Sequence, residues 1–104
     1  MGIDVALVNE RHEPKQEVHD PRQCLTSLAT GQWLQLQGSV CLRFVDPWGD
    51  TVFNQAQLPV LLSELEQSVA SQTDPEIKAH LLKVCHLVAK AKDRTHMYVK
   101  FIGD

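Results

Sequence analysis

Residues 74–102, DPEIKAHLLKVCHLVAKAKDRTHMYVKFI, change period once, and that change decides the fold. Asp74-Pro75-Glu76 supplies a carboxylate at an N-cap, a proline at the first helical position and an acid in the first turn, all suited to unpaired N–H groups. Ile77, Leu81, Val84, Cys85 and Val88 then recur on one helical face, and Lys90, Lys92 and Arg94 crowd the end where cations are favoured. A helix is predicted from about Pro75 to Lys92. After it, Met97 to Ile102 is rich in aromatic and β-branched residues and reads as a closing strand.

Upstream lies a second amphipathic helix. Leu58, Leu61, Leu62, Leu65 and Val69 form its apolar stripe, with Glu64, Glu66 and Gln67 off the stripe. Asn54 to Gln57 offers a capping pattern, but Pro59 is too deep for a helix starting directly after Asn54, so a turn should precede a helix beginning near Leu58. Leu42-Arg43-Phe44-Val45-Asp46-Pro47-Trp48-Gly49-Asp50-Thr51-Val52-Phe53 reads as a hairpin. In it Val40–Val45 is a strand buried on both sides, 46–50 the turn and Thr51–Phe53 the return.

Residues 3–9 make a first strand, with Ile3, Val5 and Leu7 alternating against Asp4, Ala6 and Val8. From Asn9 to Gln23 the chain is polar, holds Pro14 and Pro21, and reads as a long exposed loop. Cys24 to Leu28 is a short strand or a helical turn, stopped at Gly31, and Trp33, Leu34 and Leu36 alternate partly with Gln35 and Gln37. The order β, loop, β-hairpin, α, α, β predicts one α+β domain over 1–104, a mostly antiparallel sheet with two helices on one face.

At 104 residues with 43% apolar and 22% charged side chains, the chain has the composition of a folding globule rather than of a disordered one. The start lacks a basic segment and no apolar run approaches membrane-spanning length, so a cytoplasmic protein without a membrane partner is expected. Cys24, Cys41 and Cys85 are odd in number, widely spaced and set among apolar residues, as reduced core thiols would be.

Chemistry has few candidates. No Cys-x-x-Cys, His-Glu-x-x-His or acidic calcium loop occurs, and His80 and His86 fall on different helix faces, so neither metal nor other cofactor is expected. His12 and His19 sit in the polar loop and His96 at a helix-to-strand junction. No Gly-x-Ser-x-Gly or phosphate-cradling glycine pattern is present, and Asp46 and Asp50, the obvious paired acids, flank a turn that such residues ordinarily cap. No catalytic residue is assigned; the weak enzyme candidate would use Asp46, Asp50 or His96. The basic group Lys83, Lys90, Lys92, Arg94 and Lys100 lacks interleaved aromatics, so nucleic acid is not an expected partner.

Charge is uneven. Residues 1–74 hold ten acids and four bases, net −6, and residues 75–104 three acids and six bases, net +3. An acidic surface facing a basic protein partner follows, with Glu10, Glu13, Glu17 and Asp20 in the loop, Asp46 and Asp50 around the turn, and Glu64 and Glu66 on the helix. Trp48, at the turn's tip, either folds back onto the core or serves as an exposed anchor at that interface.

Two segments, Leu42–Asn54 and His96–Asp104, resemble a family of small bacterial proteins that share an aromatic-Asp-Pro-aromatic-Gly-Asp-Thr-Val-Phe-Asn turn, two helices and a Tyr-x-Lys-Phe-Ile-Gly-Asp ending. The resemblance spans residues 40–104 and implies that the chain is an immunity protein neutralising a protein toxin in interbacterial competition. It supplies no catalytic residues. The rival expectation is a regulatory or homodimeric module, joined through Trp48 or through the last strand as a free sheet edge.

Overall fold

The computed structural model describes residues 2–103; Met1 and Asp104, the last residue of the resembling C-terminal segment, lie outside the described residues. The architecture is α+β. In chain order it comprises β1 (Asp4–Val8), β2 (Pro14–Val18), α1 (Cys24–Ala29), 3-10 turns at Gln32–Gln35 and Leu42–Phe44, β3 (Asp50–Phe53), α2 (Leu58–Ser71), α3 (Pro75–Lys92) and β4 (Tyr98–Ile102). The four strands form an antiparallel sheet in the order β2-β1-β4-β3.

One face of the sheet is the floor of the core. Val5, Leu7, Phe53, Val99 and Phe101 point into it, with Phe53 and Phe101 meeting edge to face at 5.6 Å. Helix α3 lies against β1, β2 and β4, whereas α2, expected on the sheet, packs chiefly along α3. Both helices start where the sequence places them. Asp74 Oδ1 accepts the N–H groups of Glu76 and Ile77 at 2.9 and 3.4 Å, while Asn54 and Gln57 cap each other's backbone in the turn before Leu58. The other end of α3 is closed from a distance, by Gln55 Nε2 within 2.6 to 3.0 Å of the Ala91, Arg94 and Met97 carbonyls.

The hairpin is elsewhere than predicted. Residues 9–23 are not a continuous loop: β2 folds back on β1, with Val18 opposite Val5 and Glu17 opposite Ala6. Asn9 shapes the reversal, its Oδ1 accepting from the N–H groups of Arg11 and Glu13 and its Nδ2 donating to Glu13. Composition concealed this strand because it is a sheet edge, and Pro14, Lys15 and Glu17 are the residues that keep an edge from pairing further.

Conversely, Val40–Val45 is not a strand. Cys41, Leu42 and Val45 turn inward while Val40 and Phe44 face solvent, the spacing of one helical turn. The Glu64 carboxylate accepts the Val40 and Leu42 N–H groups, at 2.9 Å each, that a ladder would have needed. β3 pairs instead with β4, which is therefore central, and the expected free edge at the last strand does not exist.

Candidate protein-binding surface

The Asp46–Asp50 turn is braced from three sides. Asp46 Oδ1 accepts the Trp48 N–H at 2.8 Å, the Asp46 N–H donates to Thr51 Oγ1 at 2.9 Å, and the Gly103 N–H donates to the Gly49 carbonyl at 2.7 Å. Trp48 does not fold back: it is 68% exposed. Phe44, four residues earlier, is 62% exposed, and the Arg43 guanidinium lies 5.2 Å from its ring centroid. Trp48 is thus an uncovered aromatic ring on a held backbone, the kind of side chain that anchors protein interfaces, and Phe44 is a second uncovered ring on the 3-10 turn before it. Sequence reasoning missed Phe44 and Arg43, since an apolar run read as a buried strand gives no signal that one of its rings faces water.

The acidic residues do not assemble around this turn. Asp50 lies 3.4 Å from Lys100, and Asp46 is engaged with its own turn. Glu10 and Glu13 are at the β1–β2 reversal, where Glu10 meets His96 at 2.6 Å and Glu13 accepts from Asn9. That end of the sheet is separated from the Trp48 end by the length of β4, about 17 Å at strand rise. Glu17 is exposed on β2 and Glu66 on α2.

Two expected surface acids are structural, which corrects the predicted site. Asp20 is 2% exposed: its oxygens accept from Ile3, Cys24 and Leu25 N–H groups, fastening β1 to the start of α1. Glu64 fastens the 39–42 segment to α2, taking the Ser39 hydroxyl at 2.7 Å besides the two backbone N–H groups. Burial alone would push the Glu64 carboxyl up, but those donors together outweigh it and hold it below its ordinary value.

Reactive groups are kept quiet or apart. Burial pushes the Cys41 and Cys85 thiols up to about 11 and raises Cys24 as well, so all three stay protonated at neutral pH. No three His, Cys, Asp or Glu side chains among the described residues gather as metal ligands. His96 stands at the opposite end of the sheet from Asp46 and Asp50, so the three do not form one constellation. His80 Nε2 is buried without a hydrogen-bond partner, 3.7 Å from Asp20 Oδ1. A shallow groove of about 670 Å³ runs between α2 and residues 32–40, with Val40 and Val60 uncovered on its walls.

No helix among the described residues is long and apolar enough to cross a membrane. No family model, curated protein or solved structure matches the chain.

Proposed function

We propose that this chain is a non-enzymatic protein-binding domain, an immunity protein that occludes a protein toxin through the surface centred on Trp48. The observation that supports the reading is the exposure of Trp48 on a turn already fixed by Asp46, Thr51 and Gly103. Aromatic anchors carry a disproportionate share of interface energy, and a side chain presented on a rigid backbone loses little conformational freedom on binding. Phe44 with its stacked Arg43 extends the same stretch of chain. The acidic contribution, as the side chains lie, is confined to Asp46 and Asp50 at the turn, with the net charge of −3 favouring encounter with a basic partner.

The test is calorimetry of the purified chain against the toxin domain encoded beside it. Tight one-to-one binding that blocks the toxin's activity, weakened at least roughly 30-fold by Trp48→Ala in a variant with an unchanged circular dichroism spectrum, is the expected result. Absence of binding to every neighbouring gene product, or full affinity in the alanine variant, overturns the proposal.

A further inference from the structure

The sheet has two edges, and the chain treats them differently. The β1–β2 ladder shifts register between Leu7 and Val8, and β2 carries Pro14, Lys15 and Glu17, residues that discourage a further strand. β3, Asp-Thr-Val-Phe, holds neither proline nor lysine and pairs on one side only, with β4. The Gly103 N–H on the Gly49 carbonyl sets the phase of that ladder. Gly49, Thr51 and Phe53 turn their backbone groups towards β4, and Trp48, Asp50, Val52 and Asn54 turn theirs outward. Both ends of the outward row are closed within the chain. Asp46 Oδ1 takes the Trp48 N–H at 2.8 Å, Gln57 Oε1 takes the Asn54 N–H at 2.9 Å, and the Asn54 carbonyl accepts from the Gln57 and Leu58 N–H groups. Between them, the outward N–H and C=O groups of Asp50 and Val52 have no hydrogen-bond partner among the described residues. Val52 is 39% exposed.

Two donors and two acceptors repeating about 7 Å apart along one edge are the pattern that an extended backbone matches. We infer, on the reading of this chain as an immunity protein, that the toxin adds an extended segment to β3, hydrogen-bonded to Asp50 and Val52, beside the Trp48 anchor. The side chains select the segment. A partner residue opposite Val52 shares its outer face and is apolar or β-branched, and the one opposite Asp50 is basic, since Asp46 and Asp50 are both exposed acids at this end of the sheet. Lys100 lies at Oδ2 of Asp50, 3.4 Å away, which leaves Oδ1 facing the edge's new neighbour. A second copy is the poorer occupant. The two-fold register that engages both residues passes through Thr51 and sets the two Asp50 side chains as diagonal neighbours on one face, about 7–8 Å apart. A register about Val52 opposes Asp50 to Asn54, whose backbone groups are already taken.

Hydrogen exchange and calorimetry of the chain with the toxin domain encoded beside it test this. On binding, exchange at the Asp50 and Val52 amides should slow at least roughly 10-fold, while Thr51 and Phe53, already in the β4 ladder, change little. Val52→Pro removes an outward donor and no ladder bond, so the sheet is kept and the affinity should fall at least roughly 10-fold. Val52→Thr, which keeps the N–H, should bind at least roughly 10-fold more tightly than the proline variant. Should the proline variant unfold, the alternating exchange pattern of the parent chain decides alone. A toxin that binds and depends on Trp48 while the two amides exchange as in the free chain, or that binds a folded Val52→Pro as tightly as the parent, overturns strand addition and leaves the immunity reading standing. No binding to any neighbouring gene product overturns both. Slowing of the same amides in the chain alone as its concentration rises gives the edge to a second copy and overturns the inference.

Discussion

Gly103 sits directly against Gly49: its N–H donates to the Gly49 carbonyl at 2.7 Å, and a Cβ on Gly103 would come within 2.6 Å of both the Gly49 and Pro47 carbonyl oxygens. The residue that follows the last strand and the Asp46–Asp50 turn thereby share one close backbone contact, although Gly103 and Gly49 are more than fifty residues apart in the chain.

Gly103→Ala should consequently push the turn away from β4. A loss of roughly 1–3 kcal/mol is expected, the usual cost of inserting a methyl where there is no room. Urea denaturation measures the loss, and Trp48 fluorescence reports whether the turn has moved. Unchanged stability together with unchanged emission would contradict the close packing.

Asp20→Asn replaces one of two oxygens that together accept three backbone N–H groups at 2.7 to 3.1 Å. Hydrogen bonds to a buried charged group are worth about 1.5–3 kcal/mol each, so a loss of roughly 3 kcal/mol is expected. Hydrogen exchange should speed up at Ile3, Cys24 and Leu25 before it does so in α3. Exchange that accelerates evenly over the whole chain would show that Asp20 has no local role.

Glu64 is held below its ordinary carboxylate value in the folded chain by the N–H groups of Leu42 and Val40 and by Ser39. A depressed carboxylate contributes stability that is present above the unfolded value, near 4.5, and is lost as pH falls through the lower folded value. Glu64→Gln should therefore lower the thermal midpoint at pH 7 and flatten the acid limb of the stability curve below about pH 4.5. An unaltered acid limb in the variant would remove Glu64 from the account.

His80 behaves in the opposite chemical sense. Burial depresses it below its ordinary 6.5, with Lys83 adding to the shift and Asp20 opposing it. The unfolded chain takes up a proton that the folded chain resists, so stability is full above about pH 6.5 and falls as pH drops towards the folded value. His80→Gln should flatten the stability curve in that window while leaving the Glu64-dependent limb intact. A His80 resonance titrating at or above its ordinary value would reverse the expected sign.

The helices were legible from the sequence because each is decided within a few residues of itself. Asp74, Pro75 and the Ile77–Val88 stripe need nothing distant to define α3, and Asn54, Gln57 and Pro59 between them fix where α2 begins. The Asp46–Asp50 turn was legible for the same reason, as Asp46 caps its own backbone. Of the predicted binding residues, Trp48 stands exposed on that turn and Asp50 beside it, whereas Asp20 became a buried fastener and Glu64 a half-buried one. Nothing local distinguishes an acid that accepts backbone N–H groups from one that faces water.

By itself the sequence determined an α+β chain with two amphipathic helices, a first and a last strand, and a tight turn with a tryptophan at its tip. Only the tertiary structure decided which segments pair. β2 is a strand because β1 offers it a ladder, and residues 40–45 are not one because Glu64, twenty-two residues beyond Leu42, takes their donors. The Asp46–Asp50 turn that carries Trp48 is likewise held from the far end of the chain, by the Gly103 N–H on the Gly49 carbonyl. Propensity and period act over a helical turn, but the partner of a backbone hydrogen bond in a sheet or a carboxylate clamp is set by the whole fold.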